Sequence, residues 1–347
     1  MNIKNIGGKM MWRAGFKWMS LIIGATIGAG YTSGREIWEF FGHGSGLAIL
    51  LVTIFFTIGC MVIMNISYSR KSTHYIPVLK DIVGARLTGF YDVMILIYLF
   101  TITVVMIAGG GATGQAFNVP NWLGIGIMVV ALILLFMNGI NGLLSMNQVI
   151  VPILIVGLLV VLINFMVDQN LILFSHIHEQ DNWIAAFPFT ALNILPIIAV
   201  IGAIGNKISS KKEIVIASVS SGVILGGISY IYNNSLIQIE QVIISYEIPL
   251  FAILKHYPVI VLIIMSVLLW LAIFKTAAAG ILGIVSRIQE YFKLSFVSIV
   301  ILLLVVMVPL TAIGFSTLIS YTYPIYGILN LYVLTRLLLY PIWNKAD

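Results

Sequence analysis

The sequence predicts an all-α integral membrane protein of about ten transmembrane helices, and three observations carry that reading. Of its 347 residues 61% are apolar and only 9% charged, more apolar surface than a water-soluble domain of this size can bury. Apolar runs of about 20 residues, each long enough to cross a hydrocarbon core as a helix, recur along nearly the whole chain. The charged residues sit between those runs, and the basic ones alternate in position from loop to loop.

Spans are read at 12–41, 44–69, 86–114, 121–139, 146–167, 185–206, 213–235, 257–286, 294–313 and 316–341. With the N-terminus placed in the cytoplasm, the inner segments hold Lys4, Lys9, Arg13, Lys17, Arg70, Lys71, Lys80, Arg86, Lys207, Lys211, Lys212, Arg287, Lys293, Arg336 and Lys345. Lys255 alone falls in an outer loop. Asp168, Glu179, Asp181, Glu240 and Glu247 also fall outside, but topology follows lysine and arginine, so both termini are expected in the cytoplasm. The formal charge of +6 then reports membrane orientation and calls for no nucleic-acid partner. Glycines followed by Arg35, Glu36 and Glu39 interrupt the first apolar run, so no cleaved signal peptide is expected. Cys60 is the one cysteine, which excludes an internal disulfide.

The longest connections, 168–185 and 236–256, are too short for a soluble catalytic domain. No P-loop, hydrolase elbow or metalloprotease motif is present, so neither an enzyme nor a cofactor is expected. The segment Glu247 to Leu254 is apolar but too short to span, and reads either as a lid over the outer mouth or as a packed surface loop. His176 and His178 with Glu179 and Asp181 resemble a metal cluster only loosely, since positions i and i+2 do not share a helix face; no metal is expected. Asp92, near the inner end of helix 3, is expected to pair with Arg86 or Lys80.

A cut near residue 168 leaves five spans on each side, and an odd number of spans inserts the second half with opposite orientation. One transmembrane domain over 1–347 is expected, with repeats at about 12–167 and 185–341. Helix 1 carries Gly24, Gly28, Gly30 and Gly34 at mid-bilayer depth. Glycine costs a helix about 1 kcal/mol relative to alanine, and unpaired backbone in lipid costs several more, so the stretch is expected to break and to line a site. Such a break would offer carbonyls to a cation and N–H groups to a carboxylate, and Thr32 and Ser33 add hydroxyls. The same glycine spacing would also serve a close-packing seam.

Helix 6 holds Phe187-Pro-Phe-Thr190-Ala-Leu-Asn193-Ile-Leu-Pro196, where proline frees a carbonyl, so a second break or a simple kink is expected there. Helix 8 carries Lys275 midway along an apolar span, at a cost of roughly 2.5–3.5 kcal/mol or more. Ala272, Thr276, Ala279, Gly280 and Gly283 give that helix a small-residue face. Lys275 is expected to meet the carbonyls of Gly24 and Ile27, as a fixed cation or as a group that exchanges a proton in each cycle. An interhelical hydrogen bond without function is the alternative. Arg35, Glu36 and Glu39 are expected to cap or gate the outer half of helix 1.

The stretch Gly24 to Phe41, GATIGAGYTSGREIWEFF, resembles the first helix of the LeuT-fold amino acid, polyamine and organocation transporter superfamily, and more narrowly that of the YkvI-like bacterial membrane proteins. The resemblance implies a bacterial cytoplasmic membrane protein with a five-plus-five inverted repeat, discontinuous helices 1 and 6, and alternating access. It places substrate contacts at Ala25, Thr26, Gly28, Ala29 and Gly30, and on helix 6 at Phe189, Thr190 and Asn193. In sodium-coupled relatives a cation lies between helices 1 and 8. Lys275, next to Thr276, stands in that region here and resembles proton-coupled or sodium-independent relatives. The implied activity is secondary transport of a small amino acid or related amine. A sodium-coupled symporter and a nutrient receptor that binds without transporting are the alternatives; no acidic ring or filter repeat points to a channel.

Overall fold

The structure, a computed structural model, describes residues 3–138, 141–170, 180–291 and 293–343. Among them every regular element is helical: α1 (Ile3–Thr26), α2 (Ala29–Thr32), α3 (Arg35–Phe40), α4 (Gly46–Arg70), α5 (Ile76–Val83), α6 (Ala85–Gln115), α7 (Asn121–Asn138) and α8 (Asn141–Asp168) in the first half. The second half holds α9 (Ala186–Gly202), α10 (Lys211–Ile237), α11 (Glu240–Ile243), α12 (Pro249–Leu254), α13 (Val259–Ile288), α14 (Phe296–Leu310), α15 (Phe315–Leu329) and α16 (Leu331–Trp343). Eight described spans are long and apolar enough to cross a bilayer, taking α15 and α16 as one. The shorter apolar helix α7 and the interrupted α1–α3 bring the number to ten. The His176 and His178 loop lies outside the described residues.

Small residues set how closely the long helices approach. Gly280 of α13 faces Thr103 of α6, and Gly283 faces Leu99, so the small-residue face of helix 8 packs on helix 3. Gly222 and Gly226 of α10 lie in the same way against Thr57 and Thr53 of α4. Dispersion between close backbones is what holds helices together where lipid offers no hydrophobic gain. Local signals set the ends. Ser210 caps the start of α10, its hydroxyl accepting from the Glu213 N–H and donating to Glu213 Oε1 at 3.2 Å.

On the lysine- and arginine-rich face of the bundle, Asp92 does not pair with Arg86 or Lys80. It accepts from Arg287 of α13 and from the Tyr75 hydroxyl at 2.7 Å. Because α13 packs along α6, a residue distant in sequence is nearer than the sequence neighbours. Burial, and then the bond to Asp92, push the Tyr75 phenol up to about 12. Arg70 and Asp81 form a two-pronged ion pair between α4 and α5.

Of the two readings of helix 6, the break is not found between Phe187 and Pro196. Ala186–Gly202 is one helix with Pro196 inside it. Pro188 falls in the first turn, where an N–H has no helical partner in any case, so it interrupts nothing. Pro196 deprives only the Leu192 carbonyl of its donor. Helix 10 shows an interruption that was not expected: α15 and α16 meet at Asn330. That side chain is fully enclosed, and among the described residues neither of its polar atoms meets a protein partner. The segment 247–254 packs inward, every residue of α12 being buried.

Candidate functional site at the helix 1 break

Helix α1 ends at Thr26, and the chain turns over Ile27 and Gly28 before α2 begins. The Gly28 N–H donates to the Thr26 carbonyl at 2.8 Å, two residues back, which withdraws it from the helical bond to Gly24. Side-chain hydroxyls bond back to carbonyls along this stretch. Thr26 Oγ1 donates to the Ile22 carbonyl, Thr32 Oγ1 to that of Gly28 at 2.8 Å, and Ser33 Oγ to that of Gly30 at 2.8 Å. Thr32 and Ser33 are fully enclosed, whereas Gly28 is only half-buried.

The four glycines divide by role. A side chain built on Gly28 would meet nothing within 4 Å, and one on Gly24 would meet only Val151 at 3.7 Å. Gly34 has φ +79° and its Cα faces the Tyr232 ring; a Cβ there would lie 2.6 Å from the hydroxyl. A Cβ on Gly30 would lie 2.8 Å from Tyr323 Oη and 3.2 Å from Glu36 Oε2. The seam and the break are therefore both present: Gly30 and Gly34 admit close neighbours, and Gly28 lies at the opening.

Around this stretch the bundle supplies polar side chains from two helices and a backbone donor from a third. Tyr31 Oη lies 2.8 Å from Ser229 Oγ of α10 and donates to the Leu225 carbonyl. Tyr232 Oη donates to the Thr32 carbonyl at 2.9 Å. From α9, Asn193 Nδ2 donates to Glu36 Oε1 at 2.8 Å and to the Phe189 carbonyl at 3.0 Å. Phe189 packs on Phe41 and Phe40, with ring centroids 4.6 and 5.5 Å apart. The Leu250 N–H of α12 donates to the Ser33 carbonyl at 2.9 Å, which ties the short apolar helix over this end of helix 1.

Asn193, Phe189 and the helix 1 stretch thus come together. Thr190 does not join them, since its hydroxyl donates to the Ala186 carbonyl of its own helix. Arg35 and Glu39 meet through Ser320 of α15, which donates to Glu39 Oε2 at 2.7 Å and accepts from Arg35 Nη2 at 3.4 Å. Glu36 faces inward, only 5% exposed, away from that pair. Lys275 is as enclosed as Glu36 at 5% exposure. Among the described residues it forms no ion pair and no hydrogen bond, and none joins it to Gly24 or Ile27. Thr276 turns its hydroxyl to the Ala272 carbonyl.

Several residues of this region escape a reading of the sequence. Asn182 Nδ2 donates to the carbonyls of Phe40 and Phe41 and to Ser45 Oγ, each at 3.0 Å, and straps the end of helix 1. Trp18 Nε1 donates to the buried Glu213 at 3.1 Å and ties α1 to α10 at the basic face. Tyr323 and Ser320 lie among polar residues in an apolar span, the signal that could have found them. A separate cavity of about 550 Å³ lies between α4 and α10, lined in part by His43, Thr53, Gln180, Tyr230 and Asn234; none of its lining residues comes from the break.

Solved structures share this architecture. The chain aligns over 92% of its length, and 75% of the other chain, with the inward-facing conformation of Mhp1 at a TM-score of 0.67 and 14% identity. It aligns over 94% of its length with 88% of MhsT in complex with L-phenylalanine, at 0.64 and 15% identity. A Na+-coupled sialic acid symporter in its substrate-bound outward-open state gives 0.61 and 12% identity, over 93% and 77% of the two chains. The class is therefore a multi-pass membrane protein of the LeuT fold. Within that class it shares 46% identity over 97% of its length, and 99% of the relative's, with the uncharacterized protein YyaD of Bacillus subtilis (strain 168). It also shares 24% identity over 91% of its length, and 93% of the relative's, with that strain's uncharacterized membrane protein YkvI. The chain belongs to the YyaD/YkvI family of membrane proteins. No protein-family model matches it.

Proposed function

We propose that this protein is a secondary transporter of a small amino acid or related amine, working by alternating access in the bacterial cytoplasmic membrane with both termini in the cytoplasm. The observation that carries the reading is the break at Ile27–Gly28, half-open at Gly28 and bordered by the Thr26, Thr32 and Ser33 hydroxyls. Interrupted backbone at membrane depth is tolerated where it lines a cavity or is enclosed by protein, and it supplies ligand groups without side chains. Residues 12–167 and 185–341 act as two repeats of one transmembrane domain. Substrate is held by Ala25, Thr26, Gly28, Ala29, Gly30, Thr32 and Ser33, with Phe189 and Asn193 from helix 6. Arg35 and Glu39 form the gate with Ser320.

Coupling is to protons rather than sodium. What favours this is Lys275, a buried cation on the helix that packs against α2, since a fixed ammonium beside helix 1 repels a sodium ion from that region. A sodium-coupled symporter is the second reading, because one structural neighbour is itself Na+-coupled.

The test is counterflow uptake of labelled L-amino acids and amines into proteoliposomes, with and without sodium. Exchange that is independent of sodium supports the proposal. Binding without exchange identifies a receptor, and exchange that requires sodium identifies a symporter of the other kind.

A further inference from the structure

A second ionisable side chain is buried at this site without a counter-charge. Glu36 lies on α3, close to the centre of the contacts between helix 1, helix 6 and helix 10. Oε1 accepts one hydrogen bond, from Asn193 Nδ2 at 2.8 Å. Oε2 accepts none among the described residues, and it is pressed against Gly30, where a Cβ would lie 3.2 Å from it. Tyr323 Oη lies against the same face of Gly30, 2.8 Å from that Cβ position. Oε2 thus lies against the Gly30 backbone and a neutral phenol, and among the described residues no cation pairs with it; a bound proton is what remains to neutralise it.

The charges nearby do not compensate. On its own segment Arg35 is turned to Ser320, Glu39 accepts from Ser320, and Tyr31 is committed to Ser229 and Leu225. Helix α9 brings only the neutral Asn193. Helix α10 brings Tyr232, which donates to Thr32. Helices α15 and α6 bring Tyr323, Tyr326 and Tyr98, of which Tyr326 bonds Thr101. Lys275 of α13 forms no ion pair with Glu36. A bare carboxylate enclosed this way costs several kcal/mol, whereas the neutral acid costs little.

We propose that Glu36 is the proton-carrying side chain of this protein. In the closed bundle its carboxyl is neutral, Oε2 carrying the proton and Oε1 held by Asn193. When α3 separates from α9 and α15, water reaches Oε2, the O–H bond breaks, the proton passes to water as hydronium, and the electron pair remains on the carboxylate. The carboxylate must recover a proton before the helices can close again. This assigns the proton of the proposed coupling to helix 1 and leaves Lys275 as the fixed cation, so its coupling role rests on the transport reading above, whereas the neutral acid does not.

Infrared difference spectra of the full chain in liposomes at neutral pH test the neutral acid directly. The expected result is a C=O stretch of a protonated carboxyl in the wild type, lost in Glu36→Gln and kept in Glu213→Gln. Should Glu36→Gln fail to fold, Asn193→Leu serves in its place, because removing the bond to Oε1 shifts that same band to higher frequency. A wild type without the band, a band that survives Glu36→Gln, or one that Asn193→Leu leaves in place overturns the proposal.

Pyranine-loaded proteoliposomes, given a mixture of the twenty proteinogenic L-amino acids outside, test the coupling. Wild type should acidify the lumen, and Glu36→Gln should exchange labelled amino acids without acidification. Acidification by Glu36→Gln at the wild-type rate overturns the coupling role. A wild type that shows the band but moves neither amino acids nor protons overturns the transport reading, and with it the coupling, while the neutral acid stands.

Discussion

Helices 1 and 6 both carry residues that disrupt a helix, yet only helix 1 is broken. The difference lies in what each residue does and where it stands. Glycines at 24, 28, 30 and 34 remove side chains from one continuous stretch, which lets Tyr232, Tyr323 and Glu36 approach the backbone and opens space at Gly28. Helix 6 has prolines at 188 and 196, one in the first turn and one inside. Each removes a single donor and no side-chain volume, so the helix continues. A disrupting residue breaks a membrane helix when neighbours exist to use the exposed backbone, and helix 1 has them in the Ser33 hydroxyl, which takes the Gly30 carbonyl, and in Tyr232, which takes that of Thr32.

The contrast can be sharpened by substitution, read as apparent stability from thermal unfolding in one detergent. Gly34→Ala should cost most, about 2–4 kcal/mol, because it combines a left-handed backbone with a clash against Tyr232. A near-neutral result would show that this turn is not held as described. Asn193→Leu should cost about 1–3 kcal/mol by leaving Glu36 Oε1 without its donor; stability equal to wild type would remove Asn193 from the link between the two helices.

Pro196→Ala restores an N–H to the Leu192 carbonyl and should be neutral or stabilising by up to about 1 kcal/mol. Loss of amino-acid binding in this variant, with the fold intact, would mean that helix 6 opens at Pro196 during function. The smallest effect belongs to Gly28→Ala, within about 0.5 kcal/mol, since the new methyl meets nothing. A large destabilisation there would place Gly28 in a packed seam and close the proposed opening.

Much of this architecture is legible in the sequence because lipid as solvent leaves few choices: apolar length gives the spans, and the glycine cluster marks the break. What is not legible depends on which helices touch. Asp92 has plausible partners at Arg86 and Lys80, yet the packing of α13 on α6 brings it Arg287. Glu36 and Glu39 read alike as outer charges, but the first meets Asn193 of α9 and the second Ser320 of α15. Asn330, which divides helix 10, carries no local signal beyond being a polar residue in an apolar run. Lys275 is legible as a buried charge, whereas the atoms it faces are not.

Hydrogen–deuterium exchange of the full chain in nanodiscs, with and without a mixture of the twenty proteinogenic L-amino acids, tests most directly whether substrate sits on the helix 1 break. The prediction is new protection concentrated on peptides covering 24–34 and 186–193. Protection confined to 42–50 and 226–237, around the cavity between α4 and α10, or no change at 24–34, would contradict it.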